Sequence, residues 1–156
     1  GIRHDVIDAC LVMDNHDDLT LLITRAKALS AFLATDDGEN LVQGYKRANN
    51  IVTQAQDKDG VEYSFGADLK FAESDEEKAL FQALETQAPV IEAAMASEDF
   101  ASAMSGMAKL RAPMDAFFDA VQVNSDNDVV RRNRLNLLSR IRVICSSVAD
   151  LSKVEG

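Results

Sequence analysis

The sequence predicts an all-α protein, an antiparallel bundle of about six helices. Apolar residues recur at the three- and four-residue spacing of a helix face along nearly the whole chain. The 156 residues include only 7 glycines and 2 prolines, fewer than a many-stranded β protein needs for its turns. Hydrophobic residues make up 47% of the chain, so one domain can bury a core without a metal or a disulfide. Short polar links between the predicted helices favour an up-and-down arrangement.

Three helices are predicted before residue 57. The first has the apolar face Ile2, Val6, Cys10 and Met13. Polar residues 15–18 end it, and Asp17 or Asp18 is placed to cap the second helix. The second helix has the apolar face Leu19, Leu22, Ile23, Ala26, Leu29 and Leu33. After a turn at 36–38, the third helix has the face Leu41, Tyr45, Ala48 and Val52.

Residues 57–74 form the least regular stretch and are predicted to be a long surface loop. Apolar side chains alternate at Val61, Tyr63 and Phe65, as they would in a strand. A single strand has nothing to pair with, so the loop is the better interpretation. Loops of this length often carry function, and whether this one orders on binding a ligand is open.

Three more helices are predicted after the loop. Acidic residues at 75–77 begin the fourth helix, where they favour the positive end of the helix dipole. Pro89 inside that helix is expected to kink it. Its apolar face is Leu80, Leu84, Ala88, Ile91 and Met95. The fifth helix includes Pro113 and has the face Phe100, Met104, Met107, Leu110, Met114, Phe117 and Val121. The sixth follows polar residues 124–128 and has the face Val130, Leu137, Ile141, Ile144, Val148 and Leu151.

The domain organisation is predicted to be simple, with residues 1–156 forming a single helical domain. No apolar run approaches the roughly 18–20 residues that a membrane-spanning helix needs. Because the chain lacks a starting methionine, we expect it to be a processed chain or an excised fragment of a longer protein. Cys10 and Cys145 each lie in an apolar helical pattern, so both are predicted to be reduced core residues of a cytosolic protein. A disulfide between them is the less favoured alternative.

Charge is unevenly distributed along the chain. The net charge of −10 disfavours nonspecific binding to nucleic acids or membranes. Residues 1–102 hold 20 acidic and 8 basic residues, whereas residues 103–156 hold 6 acidic and 8 basic residues. Five arginines and no acidic residue lie between Val129 and Val143. The last helix is therefore predicted to present a local basic surface on an acidic protein.

Motifs for catalysis or metal binding are not found in the sequence. His4 and His16 have no cysteine nearby and do not make a zinc pattern. The pair His4-Asp5 alone favours a polar helix start over the metal site of a hydrolase. Residues 57–60 resemble part of a calcium loop, but the acidic ligands at the ends of such a loop are missing. We predict no catalytic residue and no metal site.

The arginines of the last helix are predicted to have two roles. At about 100° per residue, Arg134 falls on the apolar face, where a lone buried charge is costly. We therefore predict an ion pair between Arg134 and Asp119 or Asp115 of the preceding helix. Arg131 and Arg142 share one flank of the same helix and are expected to be freer to meet a ligand.

A second basic cluster lies on the third helix, at Lys46 and Arg47. Asn49 and Asn50 follow at helical spacing, so Lys46 shares a face with both asparagines. Lysine and arginine hold phosphates, arginine also stacks on bases, and asparagine can read base edges. The neighbouring Tyr45 fits the helix's apolar face and is interpreted as a core residue.

Five segments resemble a known family. They read RAKALSAFL at 25–33, DGENL at 37–41, GYKRANNI at 44–51, LRAPMDAFFDAV at 110–121 and RRNRLNLL at 131–138. These segments are similar to the C-terminal part of the bacterial glycyl-tRNA synthetase β subunit. That part is a helical DALR-type anticodon-binding domain, related to the domain that ends arginyl-tRNA synthetases. The resemblance covers nearly the whole chain.

The resemblance implies a function in translation for an excised domain of a cytoplasmic enzyme. The family's domain binds the anticodon region of tRNA(Gly), so the expected partners are that tRNA and, through the full β subunit, the α subunit, but not DNA or a membrane. Aminoacylation belongs to the α subunit, which would use ATP and magnesium. This fragment is therefore expected to hold no cofactor and to catalyse nothing by itself.

The basic clusters and the resemblance together suggest five RNA-binding residues. RNA loops are recognised by stacking and by hydrogen bonds to splayed bases, with phosphates held by basic side chains. Lys46 and Arg47 would hold phosphates or stack, and Asn50 would read a base edge. Arg131 and Arg142 would hold phosphate or bind a cytosine, since glycine anticodons end in two cytosines.

The alternative function is a helical protein-interaction or subunit-docking domain without direct RNA contact. Methionines at helical spacing can form an adaptable docking face for a partner helix. Core packing is the more ordinary explanation of such a stripe. Its members are Met95, Met104, Met107 and Met114.

Overall fold

A computed structural model describes residues 3–11, 19–64 and 66–154. This part of the chain contains seven α-helices, two short 3-10 helices and no strand, which confirms the all-α prediction. The α-helices are α1 (His4–Leu11), α2 (Leu19–Leu33), α3 (Asp36–Asp59), α4 (Asp75–Ala96), α5 (Phe100–Ala108), α6 (Arg111–Ala120) and α7 (Asp128–Ser146). The 3-10 helices are Leu69–Phe71 and Leu151–Lys153.

Some predicted features fall on residues outside the described ranges. They are Ile2, Met13, Phe65 and the break at 15–18 with His16 and the candidate caps Asp17 and Asp18. None of the helices that the structure describes is both long and apolar enough to cross a membrane.

Helix α3 is the centre of the bundle, because it packs against α2, α5, α6 and α7. The Thr35 side chain caps its start by accepting a hydrogen bond from the Gly38 amide at 3.0 Å. Its end is set by Gly60, whose φ of 68° is the left-handed conformation that glycine adopts at little cost. The helix therefore runs through Asp59, and the predicted loop begins at Gly60 rather than at residue 57.

The predicted fifth helix is two helices, α5 and α6, with a break at residues 109–110. Pro113 explains the break, because it is the third residue of α6. Amide groups in the first turn of a helix have no partner within the helix, so the missing N–H of proline costs nothing there. Pro89, in contrast, lies inside α4, which continues to Ala96.

The core contains most of the predicted apolar faces, but Leu19 and Ile23 of the second helix are exposed. The largest fully buried side chains include Phe117, Leu29, Leu41, Leu80, Leu84, Ile91, Met107, Leu110 and Met114. Met104, Met107 and Met114 are buried, so the methionine stripe is mostly core, as the more ordinary explanation predicts. The backbone amide of Asp150 donates to the Ala9 carbonyl at 3.1 Å and ties the C-terminal segment to α1.

Both cysteines are free and fully buried, which confirms the prediction of reduced core residues. Burial raises the pKa of Cys145 to about 12 and also raises that of Cys10. The thiolate is the reactive form of cysteine, so neither side chain has the character of a nucleophile or redox centre.

Candidate nucleic-acid interface

Two of the predicted RNA-binding arginines, Arg131 and Arg142, contact α3 from α7, and the contact between these two helices is named the α3–α7 seam. Arg142 Nη1 donates to Asn49 Oδ1 at 3.3 Å, and Arg131 Nη1 lies 2.8 Å from Asp59 Oδ2. The chain advances along α3 from Asn49 to Asp59 while it retreats along α7 from Arg142 to Arg131, so the helices are antiparallel. At a rise of about 1.5 Å per residue, the two contacts are about 15 Å apart.

Four of the five predicted RNA-binding residues lie on or against residues 46–50 of α3, near one end of the seam, although Arg47 faces α6 and not α7. Arg47 and Asn50 are exposed on α3, and Arg142 joins them through its contact with Asn49. The Arg47 guanidinium lies 4.6 Å from the centroid of the Phe118 ring on α6, a cation–π contact that holds this side chain against the surface. Lys46 is half-buried and donates to the Val154 carbonyl. A ligand would therefore meet Arg47 and Asn50 before Lys46.

Arg131, the fifth predicted residue, lies at the opposite end of the seam in a polar cluster. It bridges Asp59, the Tyr63 hydroxyl at 3.2 Å and Asn124 Oδ1 at 3.1 Å, and 21% of its side chain is exposed. The hydrogen bond from Tyr63 holds the pKa of Asp59 below its usual value, and Arg131 lowers it further. Burial raises the pKa of Tyr63, as does the neighbouring Asp59. Arg131 thus anchors the segment after α3, and it is less free than expected.

The predicted ion pair of Arg134 needs a correction, because its partners are on α4 and not on α6. Arg134 Nη2 and Nε lie 2.7 and 3.0 Å from Glu77 Oε1, and Nη1 donates to the Gln122 carbonyl at 2.6 Å. The two predicted partners are elsewhere: Asp115 pairs with Arg111 at 3.1 Å, and Asp119 is exposed. Helix α7 crosses the start of α4 at this point, so Glu77 is within reach, and Glu73 just before α4 lies 3.4 Å from Arg134 Nη2.

Sequence reasoning missed two buried asparagines on α7. Asn133 is 5% exposed, and its Oδ1 accepts a hydrogen bond from the Asp68 amide at 2.7 Å. Asn136 is 6% exposed and lies between two surface clefts of about 280 Å³ each, both bounded by Gly66 of the α3–α4 connection. The signal was present in the sequence, because the two asparagines are three residues apart on a buried stripe of the helix.

Within residues 3–11, 19–64 and 66–154, no group of three or more His, Cys, Asp or Glu side chains is placed to hold a metal ion. His4 lies 3.5 Å from Asp8 one helical turn away, and the imidazole side chain is 90% exposed.

An all-helical bundle with arginine and amide side chains along one helix seam has the features of an RNA-binding module. Comparison with known proteins agrees: the model of the DALR anticodon binding domain matches residues 41–155. The chain belongs to this family. The match extends from α3 to the end of the described chain, so it includes the whole seam.

Curated relatives support the same assignment. The chain is 70% identical over its full length to the glycine–tRNA ligase beta subunit of Cereibacter sphaeroides, of which it covers 22%. It is 66% identical to the beta subunit of Dinoroseobacter shibae and 61% identical to that of Paracoccus denitrificans, covering 22% and 23% of those proteins. The resemblance seen in the sequence is confirmed, and the chain spans less than a quarter of the length of these relatives.

Proposed function

We propose that this domain binds the anticodon region of tRNA(Gly) and positions that tRNA for aminoacylation by a separate α subunit. The family match over residues 41–155, together with relatives that are glycine–tRNA ligase beta subunits, carries the proposal. The domain would act in the cytoplasm as part of a larger enzyme. ATP and magnesium would be used in the α subunit, and no catalytic step is assigned to this chain.

The exposed residues near this end of the seam supply the chemistry that an anticodon loop requires. Arg47 and Arg142 offer positive charge for phosphates or planar groups for stacking, and Asn50 offers an amide for a base edge. Lys46 adds charge beside them. The high density of acidic residues elsewhere on the protein would keep RNA from binding at other surfaces, since like charges repel.

The experiment is a titration of the chain with the tRNA(Gly) anticodon stem-loop at about 50 and 200 mM salt, in which fluorescence anisotropy measures the binding. The comparison RNA has both anticodon cytosines replaced by uracils. We expect binding that weakens with salt because phosphates are contacted, and that weakens again on base replacement because the bases are read. No binding of either RNA at about 100 µM would contradict the proposal.

The paired variant Lys46→Ala and Arg47→Ala tests which surface is used. We expect affinity for both stem-loops to fall about tenfold, with a salt dependence shallower by about 0.7 for each lost phosphate contact. The matched control is Lys27→Ala with Lys109→Ala, which removes the same charge from exposed positions on α2 and directly after α5. Equal effects of the two pairs would mean that only overall charge matters, and would remove the seam from the proposal.

Subunit docking is the second candidate function, and one surface favours it. A groove of about 340 Å³ lies between α2 and α5, lined by small and apolar side chains. They include Ala28, Ala31, Phe32, Ala101, Met104 and Ala108. A chain that binds the α subunit but no stem-loop would favour this candidate over anticodon binding.

A further inference from the structure

Two clefts beside Asn136 are lined by polar and apolar side chains together. One cleft is bounded by Ser139 and Arg140 of α7. The other is bounded by Arg132 of α7 and by Phe71, the last residue of the first 3-10 helix. Gly66 and Asn136 belong to both clefts, so the side chain of Asn136 lies where they meet. A ligand entering either cleft would reach this amide.

The side-chain oxygen of Asn136 is unsatisfied. Its Oδ1 is buried and has no hydrogen-bond partner in the described part of the protein, although the residue is only 6% exposed. A buried polar atom without a partner costs free energy and is rare in native proteins. One turn earlier, Asn133 shows the ordinary arrangement, since its oxygen accepts from the Asp68 amide. The α3–α4 connection therefore donates a hydrogen bond to the Asn133 oxygen and none to the Asn136 oxygen, which can accept one from a ligand.

The surroundings of Asn136 fit a nucleotide better than an apolar or purely ionic ligand. Arg132 is exposed, and Arg140 is held beside the first cleft by an ion pair with Glu85 of α4. Val143 is 67% exposed at the rim, and Phe71 is 37% exposed. An amide, a guanidinium and an apolar edge together match the polar edge, the phosphate and the faces of a nucleotide.

We infer that the Asn136 clefts receive an unstacked base of the anticodon loop that carries an exocyclic amine, with Asn136 as the residue that reads it. This inference rests on the proposed function and assigns base reading to α7, in addition to Asn50 on α3. The amine donates to Oδ1, and Nδ2 donates to the neighbouring ring nitrogen of the base. Because the χ2 torsion of an asparagine has a broad range, the amide can turn toward the cleft without changing the helix.

The amine requirement makes a specific prediction about the anticodon. Cytosine has an amine where uracil has a carbonyl oxygen, so the amide orientation that accepts from the amine cannot pair with uracil, which requires the amide flipped by about 180°. Glycine anticodons contain two adjacent cytosines, so one of them is the expected ligand. A well-formed amide–base pair gives about tenfold discrimination against the wrong base.

The test uses stem-loops in which each anticodon cytosine is changed singly to uracil, titrated against the chain and its Asn136→Leu variant. The unsubstituted chain should lose about tenfold in affinity on one of the two changes. Asn136→Leu should bind all three RNAs within about twofold of one another, because a side chain of similar shape without polar atoms cannot tell the bases apart. The control Gln87→Leu removes an amide whose buried oxygen also lacks a partner, at the contact between α4 and α5.

Folding is checked by thermal unfolding of the same proteins. Asn136→Leu should melt at the same temperature as the unsubstituted chain or above it, because it removes an unpaired buried polar group. Retention of the cytosine preference by Asn136→Leu, or its loss in Gln87→Leu as well, would overturn the inference while leaving anticodon binding intact. Absence of a cytosine preference in the unsubstituted chain would overturn the base-reading part of the proposed function, and this inference with it.

Discussion

Replacing Arg134 with methionine is expected to lower the free energy of unfolding by about 3–5 kcal/mol, the usual consequence of leaving a buried charge without its partner. Glu77 is fully buried, and its carboxylate accepts two hydrogen bonds from the Arg134 guanidinium. The other groups that contact this carboxylate are the Ser74 hydroxyl at 3.1 Å and the Glu73 amide at 3.4 Å, and neither carries a charge. Thermal unfolding should show a drop of about 10 °C for a domain of this size.

Two further variants separate the loss of the ion pair from the loss of an arginine. Arg132→Met changes an exposed arginine of the same helix and should stay within about 0.5 kcal/mol of the unsubstituted chain. Adding Glu77→Leu to Arg134→Met removes the stranded charge, so stability should recover most of the loss. If the double variant were no more stable than Arg134→Met alone, the buried carboxylate would not be the cause.

Replacing Gly38 with alanine is expected to cost about 3 kcal/mol, although alanine favours helices more than glycine does. Gly38 lies in the first turn of α3, directly beside the end of α2. A Cβ atom there would lie 1.9 Å from the Phe32 carbonyl oxygen and 2.6 Å from the carbon of the same group. Both are backbone atoms, so the helix junction itself would have to move. The loss is measured by urea or thermal unfolding.

Gly44 provides the matched control on the same helix. A Cβ atom there would lie 2.7 Å from Cε of Met114, the end of a flexible side chain that can turn aside. Gly44→Ala should therefore cost much less than Gly38→Ala and can even stabilise the helix. Equal costs at the two positions would indicate that general crowding around α3, and not the junction with α2, decides the effect.

The sequence predicted the helices well, because their apolar faces repeat with the helical period over many residues. The errors concern single residues whose role depends on context. Pro113 is compatible with the middle of a kinked helix or with the first turn of a new one, and only the packing of the neighbouring helices decides between them. The end of α3 likewise depended on Gly60 rather than on the polar residues before it.

The site was harder to predict than the fold. The helical angle of Arg134 correctly indicated that it needs a carboxylate, but the identity of the partner depends on which helix crosses α7, and Glu77 is 57 residues away in sequence. Arg131 and Arg142 do share a flank, but that flank faces α3, where Asp59 engages Arg131. Asn136 was missed because its spacing from Asn133 on the helix indicates burial but not whether its amide is satisfied.

The central claim is that the α3–α7 seam and the Asn136 clefts bind the anticodon loop. The most direct test is NMR titration of the isotope-labelled chain, which at 17.0 kDa is small enough for resolved amide signals, with the tRNA(Gly) anticodon stem-loop. We predict that the perturbed amides lie at 46–50 on α3, at 132–143 on α7 and in the connection at 61–72. Perturbations confined to the α2–α5 groove, or none at saturating RNA, would contradict the claim.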